Sequence, residues 1–288
     1  MPAWLRLLRP HQWIKNSFVF VGLLFGHAWN DPQLLQSALL AFAAFCLTSS
    51  TVYALNDIAD RVEDRAHPKK SRRPVASGAI SPQAGYAIAS ACFLGGMLLA
   101  SLCGKHLVML LVGYLLLQVA YSHGLKHVVI LDVFLIASGF MLRILAGTLG
   151  IGIPPSQWLL LCGLLLTLFL GFAKRRAELM LLEDAGGNHR RVLEHYSEGL
   201  LDQMIAVTAA GVLVAYCLYT VSPDTVALHG TDKLVYTIPF VLYGMFRYLY
   251  LLHQRGGGGD PAQEVVGDWH IIASGAAWLA TTLLLLRA

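Results

Sequence analysis

Along most of the chain the apolar residues come in unbroken runs, not in the alternation of a half-buried strand or the one-sided stripe of a soluble helix. Nine runs approach or exceed the roughly 20 residues that a helix needs to cross a bilayer. They cover residues 16–29, 33–55, 83–103, 106–122, 128–151, 156–172, 204–221, 234–252 and 269–286, the first lengthened by the amphipathic stretch 4–15. The pattern predicts an all-α integral membrane protein of about nine transmembrane helices, a single domain over residues 1–288.

The polar residues collect on one side of this pattern. Alternate links are short and nearly neutral (30–32, 104–105, 152–155, with a longer 222–233), whereas the others, 56–82, 123–127, 174–203 and 253–268, carry the charge. All but four of the 21 Lys and Arg fall at the N-terminus, in those charged links or, for Arg247, near the end of a run that leads into one; the exceptions are Lys105, Arg143, Lys233 and Arg287. The excess of positive charge in alternate links predicts a cytoplasmic N-terminus and an outward C-terminus, with 56–82, 123–127 and 174–203 as cytoplasmic catalytic loops. A bacterial-type cytoplasmic membrane is the expected location.

Composition agrees: 56% of the 288 residues are hydrophobic and 13% charged, and the mean hydropathy is +0.60, far from a soluble domain. The N-terminal run follows positive residues as a signal peptide would, but no convincing small-residue cleavage site follows, so it is expected to remain as the first span. The five cysteines have no ligand spacing and read as small apolar residues. "RGGGGDP", residues 255–261, reads as a connector, and no period of 20 to 50 residues repeats.

One stretch stands apart: "NDIADRVEDRAHPKKSRRP", residues 56–74. Helical periodicity puts Asn56, Asp57, Asp60 and Asp64 on one stripe. Carboxylates crowded on one face repel, the wrong sign for a helix selected for stability alone. A divalent cation reverses that sign, and Mg²⁺ commonly takes one or two carboxylates together with substrate phosphates and water. The stripe begins where an apolar span ends, which favours a Mg²⁺–diphosphate clamp at Asp57, Asp60 and Asp64 over a solvated loop paired locally with Arg61 and Arg65.

On these residues the sequence resembles the UbiA superfamily of intramembrane prenyltransferases, whose first aspartate-rich motif matches Asn56, Asp57, Asp60 and Asp64. Within it the chain is most similar to the polyprenyl-phosphate (decaprenyl-phosphate) phosphoribosyltransferases, through "RPHQWIKN" (9–16), "DRAHPKKSRRPVASG" (64–78), "YSHGLKH" (121–127), "GFMLRILAG" (139–147) and "AKRRAEL" (173–179). The resemblance implies a UbiA-like bundle around a cytoplasm-facing cavity. It also implies Mg²⁺ as cofactor, and phosphoribosyl diphosphate (PRPP) and a polyprenyl phosphate as substrates. The chain departs from the aromatic prenyltransferases of the superfamily at their second acidic motif, where it carries Lys174, Arg175, Arg176 and Glu178. Bases bind phosphate without a metal, Arg with two parallel hydrogen bonds, so the swap points to further phosphate groups in place of a second metal clamp.

The remaining candidates sort by position. Arg143 lies mid-span, where a charge costs about 2.5 to 3.5 kcal/mol, and must face protein or water; its bland alternative is an ion pair with Asp132 on the same helical face. Lys126, with Tyr121 and Ser122, stands at a membrane boundary, where snorkelling competes with phosphate binding. Gln12, Lys15 and Asn16 open the first span, either on substrate or as interfacial anchors beside Trp13. Of His67, Lys69, Lys70, Arg72 and Arg73, contacts to anionic lipid are one account; Lys70, Arg72 and Arg73 folding over a sugar phosphate is the other. Glu178 reads as a local helix partner.

The first reading is transfer of 5-phosphoribose from PRPP to a polyprenyl phosphate, with diphosphate leaving; the resemblance alone implies that the product feeds lipid-linked arabinose and cell-envelope glycan synthesis. Asp57, Asp60, Asp64, Lys126 and Arg143 are the expected catalytic residues. Gln12, Lys15, Asn16, Asn56, Lys70, Arg72, Arg73, Tyr121, Ser122, Asp132, Lys174 and Arg175 are the expected substrate contacts. A prenyl-diphosphate enzyme acting on an aromatic acceptor ranks second, and a transporter or lipid-binding protein last. No nucleic-acid partner is expected, and homo-oligomers stay open.

Overall fold

The computed structural model describes residues 1–68, 70–185, 191–254 and 267–287; Lys69 and the 255–261 connector lie outside them. Every regular element among the described residues is helical. Eight long helices carry the fold: α1 (Pro32–Ala59), α2 (Pro82–Cys103), α3 (Lys105–Ser122), α4 (Leu131–Ala146), α5 (Gln157–Ala185), α6 (Glu198–Val221), α7 (Ile238–Gln254) and α8 (Trp269–Arg287). Each is part of a stretch long and apolar enough to cross a membrane. Their outward faces stay apolar: Leu94, Leu98 and Leu102, four residues apart on α2, are all about two-thirds exposed. Water would penalise such a face, whereas lipid accommodates it. The protein is therefore a multi-pass membrane protein.

The first of the nine expected spans takes a different form. It is a helical turn Ala3–Leu8, a 3₁₀ run Pro10–Phe20 and a short α-helix Val21–Phe25. The break has a local cause. A residue before proline is disfavoured in the right-handed helical region, and Arg9 adopts φ 52° instead. Eleven residues is long for a 3₁₀ helix, and contacts to α1 hold this one: Trp13 Nε1 donates to Ser50 Oγ at 3.1 Å, and Ser50 Oγ donates to the Leu8 carbonyl at 2.9 Å.

The chain divides into two compact units, residues 1–120 with 139–155, and residues 121–138 with 156–288. In the first, α1 packs along α2 and the N-terminal pieces lie on α1. Helix α1 starts at an Asp31 cap, whose carboxylate accepts from Gln33 N at 2.8 Å and Leu34 N at 3.2 Å, with Pro32 in the first turn; α2 repeats the device with Ser81 and Pro82. These caps satisfy backbone donors that a helix start leaves open. The core holds Val19, Leu23, Phe45, Leu107, Leu111 and Tyr114. One backbone approach demands glycine: a Cβ on Gly147 would stand 1.7 Å from the Val19 carbonyl oxygen, and one on Gly22 1.9 Å from that of Gly147.

In the second unit, α5 packs on α6 and α7 on α8. Phe169, Phe172, Leu201, Ile205, Met245, Tyr248 and Leu252 form its core. Val192, Leu193 and Tyr196 join that core from the connection before α6. Ser197 then caps α6, its hydroxyl accepting from Leu200 N at 3.3 Å. The basic triplet Lys174, Arg175 and Arg176, expected in a loop, stands on the continuous helix α5. Carboxylates of the same unit neutralise both arginines, which lets the helix run on through them.

Candidate functional site

The acidic motif is built where α1 ends. Helix α1 stops at Ala59, Asp60 follows as its cap, and a short helix Arg61–Ala66 carries Asp64. Asp57 is 1% and Asp64 2% exposed, whereas Asp60 is exposed and its carboxylate has no ion pair among the described residues. Buried carboxylates need compensation, and two arginines supply it. Arg9 donates to Asp57 Oδ1. Arg73 Nη1 stands 2.6 Å from Asp64 Oδ2 and 3.6 Å from Asp57 Oδ1, tying the two carboxylates together. Asp57 Oδ2 is buried with no hydrogen-bond partner among the described residues.

Mid-helix on α4, Arg143 is 5% exposed. Its Nε donates to Asn16 Oδ1 at 2.7 Å, Nη1 to the Gly139 carbonyl at 2.7 Å, and Nη2 to Tyr114 Oη at 3.3 Å. The rings of Phe45, Tyr114 and Phe140 surround the guanidinium at 4.9 to 5.4 Å. Asn16 is itself fixed through Cys46 and Ser49. Among the described residues no carboxylate pairs with Arg143. Neutral acceptors and aromatic faces solvate its charge without cancelling it, which leaves the positive potential available to an anion.

In the second unit the charges pair internally. Arg175, 1% exposed, donates through Nε to Asp132 Oδ2 at 2.7 Å and through Nη1 to Glu178, while its Nη2 has no partner among the described residues. Asp132 Oδ1 accepts the Tyr196 hydroxyl at 2.8 Å. Burial pushes the Tyr196 phenol up to about 12, so it stays a donor at any physiological pH. Arg176 turns the other way, to Glu198 and Asp202 at 2.5 Å each. Lys174 on α5 and Lys126 on the 3₁₀ turn Leu125–His127 are half-buried, with no hydrogen bond or ion pair among the described residues.

The expected residues thus fall into groups. Asp57, Asp64 and Arg73 come together, as do Asn16 with Arg143 and Asp132 with Arg175. Asp132, the alternative partner expected for Arg143, is taken by Arg175 and Tyr196 instead. Glu178 is the helix partner expected of it. Asn56, Gln12, Lys15, Tyr121 and Ser122 are half-buried, and Lys70 and Arg72 exposed. Sequence reasoning passed over Arg9, Tyr114 and Tyr196. Arg9 stood next to Pro10 in a motif already singled out, and Tyr114 interrupts an apolar run with a hydroxyl. Nothing in the sequence marked Tyr196.

The donor set can be tested against a divalent cation. Among the described residues no three His, Cys, Asp or Glu side chains cluster as a self-sufficient metal site. The unpartnered Asp57 Oδ2 and the exposed Asp60 carboxylate fit a hard cation bound through one or two carboxylates and completed by phosphate oxygens and water.

The chain is similar to known proteins over nearly its whole length. The decaprenyl-phosphate phosphoribosyltransferase of Mycolicibacterium smegmatis is 31% identical over 286 residues, covering 96% of this chain and 90% of its own. That of Corynebacterium glutamicum is 33% identical, covering 96% and 84%. A UbiA homologue from Archaeoglobus fulgidus solved with GPP and Mg²⁺ superposes with a TM-score of 0.73 at 17% identity, over 99% of this chain and 100% of that one. The model of the UbiA prenyltransferase family matches residues 16–262, and the chain belongs to that family.

Proposed function

We propose that the protein transfers 5-phosphoribose from PRPP to a polyprenyl phosphate, releasing diphosphate. The observation that carries this reading is how charge is distributed: one site of paired carboxylates at the end of α1, and Lys174 with the spare Nη2 of Arg175 where the aromatic prenyltransferases of the family carry a second acidic motif. The likeness to the decaprenyl-phosphate phosphoribosyltransferases supports the same choice.

In this mechanism Asp57, Asp60 and Asp64 would hold Mg²⁺, which would offset negative charge on a departing diphosphate. Arg9 and Arg73 fix the carboxylates and lie within reach of phosphate oxygens beside them. Arg143, with Asn16 and Tyr114 orienting its guanidinium, supplies positive potential to an anionic group. Lys126 and Lys174 bind phosphate as flexible point charges. Arg175, tied to Asp132 and Glu178, keeps one nitrogen for a further acceptor. Gln12, Lys15, Asn56, Lys70, Arg72, Tyr121 and Ser122 supply the remaining polar contacts.

An ionised lipid phosphate oxygen attacks C1 of the ribose, the bond from C1 to the diphosphate oxygen breaks, and its electron pair leaves with the diphosphate. The nucleophile is already an anion, so catalysis is mainly orientation and electrostatics. Attack opposite the leaving group inverts C1, and an α-configured donor gives a β-configured product. The N-terminus and the acidic motif face the cytoplasm, and the product enters lipid-linked arabinose synthesis for the cell envelope.

The reading is tested with purified protein in detergent, a polyprenyl phosphate and PRPP labelled in the ribose. Label should enter the organic phase only with divalent cation present, and its product should carry the β configuration. No lipid-phase label at any Mg²⁺ concentration overturns the reading.

A further inference from the structure

The connection before α6 does more than join two helices. Its 3₁₀ segment Arg191–His195 packs against the 3₁₀ turn Leu125–His127, which carries Lys126. Val192 is fully buried, Leu193 is 4% and Tyr196 5% exposed. Three large side chains thus anchor the segment in the core of the second unit, where it can act as a rigid strut.

Between Lys126 and α4 the backbone is strained. Ile130 adopts φ 68°, a region that a β-branched residue enters only when its surroundings impose it. Its N–H donates to the Tyr196 hydroxyl at 2.6 Å. The same hydroxyl donates to Asp132 Oδ1 at 2.8 Å. Asp132 is fully buried, and its second oxygen is held by Arg175 Nε at 2.7 Å. One phenolic oxygen therefore grips the strained turn at two points two residues apart. Phenylalanine would fill the same space and hold neither.

We propose that Tyr196 is a positioning residue: its hydroxyl pins the turn at 128–132 in its strained form, so that Lys126 is presented in one place to a phosphate group of the substrate. The proposal rests on the phosphate-binding role given to Lys126 above. Tyr196 touches no reacting atom; it acts through the backbone of Ile130 and the carboxylate of Asp132. The phosphate it serves belongs either to PRPP or to the lipid acceptor, and the kinetics distinguish them.

The test is Tyr196→Phe, assayed for phosphoribosyl transfer with each substrate varied in turn. Its thermal midpoint should stay within a few degrees of the wild type. KM for the one substrate whose phosphate Lys126 holds should rise about tenfold, the scale of one lost hydrogen bond, with kcat and the other KM little changed. Which KM moves, that for PRPP or that for polyprenyl phosphate, identifies the source of the phosphate. Ile130→Gly is the second variant, because glycine adopts positive φ without strain. In the Tyr196→Phe background it should recover at least threefold of the lost affinity. Should Tyr196→Phe alone fail to accumulate, the double variant is expected to restore both folded protein and transfer. Unchanged KM values in Tyr196→Phe, or no recovery in the double variant, overturn the proposal. An inactive wild type would instead overturn the reaction on which it rests.

Discussion

Asp57 and Asp64 share one guanidinium nitrogen of Arg73, while Asp60 between them faces outward. Helical periodicity predicted a single stripe; the residue that ends α1 is Asp60 itself, and this interruption separates buried from exposed carboxylates. Asp57→Asn should lower turnover more than about 100-fold, the scale of losing a key electrostatic group, and also lower the thermal midpoint, because Arg9 and Arg73 lose a buried partner; wild-type turnover would remove Asp57 from the mechanism. Arg143 makes a three-way contact to Asn16, Gly139 and Tyr114, which an ammonium cannot reproduce. Arg143→Lys should therefore lose at least about tenfold in kcat/KM, the cost of one charge-assisted hydrogen bond. Near-normal kinetics in that variant would show that only the charge matters. That Arg143 is enclosed by protein was legible from a charge in the middle of an apolar run. Its partners were not, because Asn16 lies 127 residues away in sequence.

At the scale of elements, eight of nine expected spans appear as long helices and the first as three short pieces. A run of hydrophobic residues reports composition, and Asn16–Trp29 had enough of it. Backbone breaks depend on single residues, and "RP" at 9–10 was the readable sign. The basic link after α5 shows a related limit: charges looked like loop residues, yet Arg175 and Arg176 are absorbed by Asp132, Glu178, Glu198 and Asp202. Only the Glu178 contact, three residues on, was legible. Gly147→Ala should lower the thermal midpoint markedly or prevent accumulation, since the new methyl group would meet the Val19 carbonyl; normal melting would refute the close approach. Asp268 caps α8 through His270 N and Ile271 N and pairs with Arg247. The hydrogen bond from Arg247 holds its carboxyl down at about 2. A depressed acid stabilises the fold above its unfolded value of about 4 and loses that contribution as pH falls toward 2. Asp268→Asn should therefore melt earlier than wild type at pH 7, with the gap closing below pH 4; a gap constant with pH would exclude the ion pair as its source.

At the scale of the whole molecule, full-length likeness to the decaprenyl-phosphate phosphoribosyltransferases and a shared fold with the UbiA homologues frame the same question. The family's fold serves prenyl diphosphates in some members, so fold alone does not choose the donor. The proposed choice of PRPP rests on Lys174 and the spare Nη2 of Arg175 standing where a second acidic motif would be; the change of charge sign was readable in the sequence, whereas the pairing of Arg176 and most of Arg175 with carboxylates was not. The direct test offers purified protein Mg²⁺ with two labelled pairs in parallel: PRPP with a polyprenyl phosphate, and a prenyl diphosphate with 4-hydroxybenzoate. Label moving to the acceptor in the first tube, abolished by EDTA and absent from the second, is the predicted result; label moving only in the second would contradict the account.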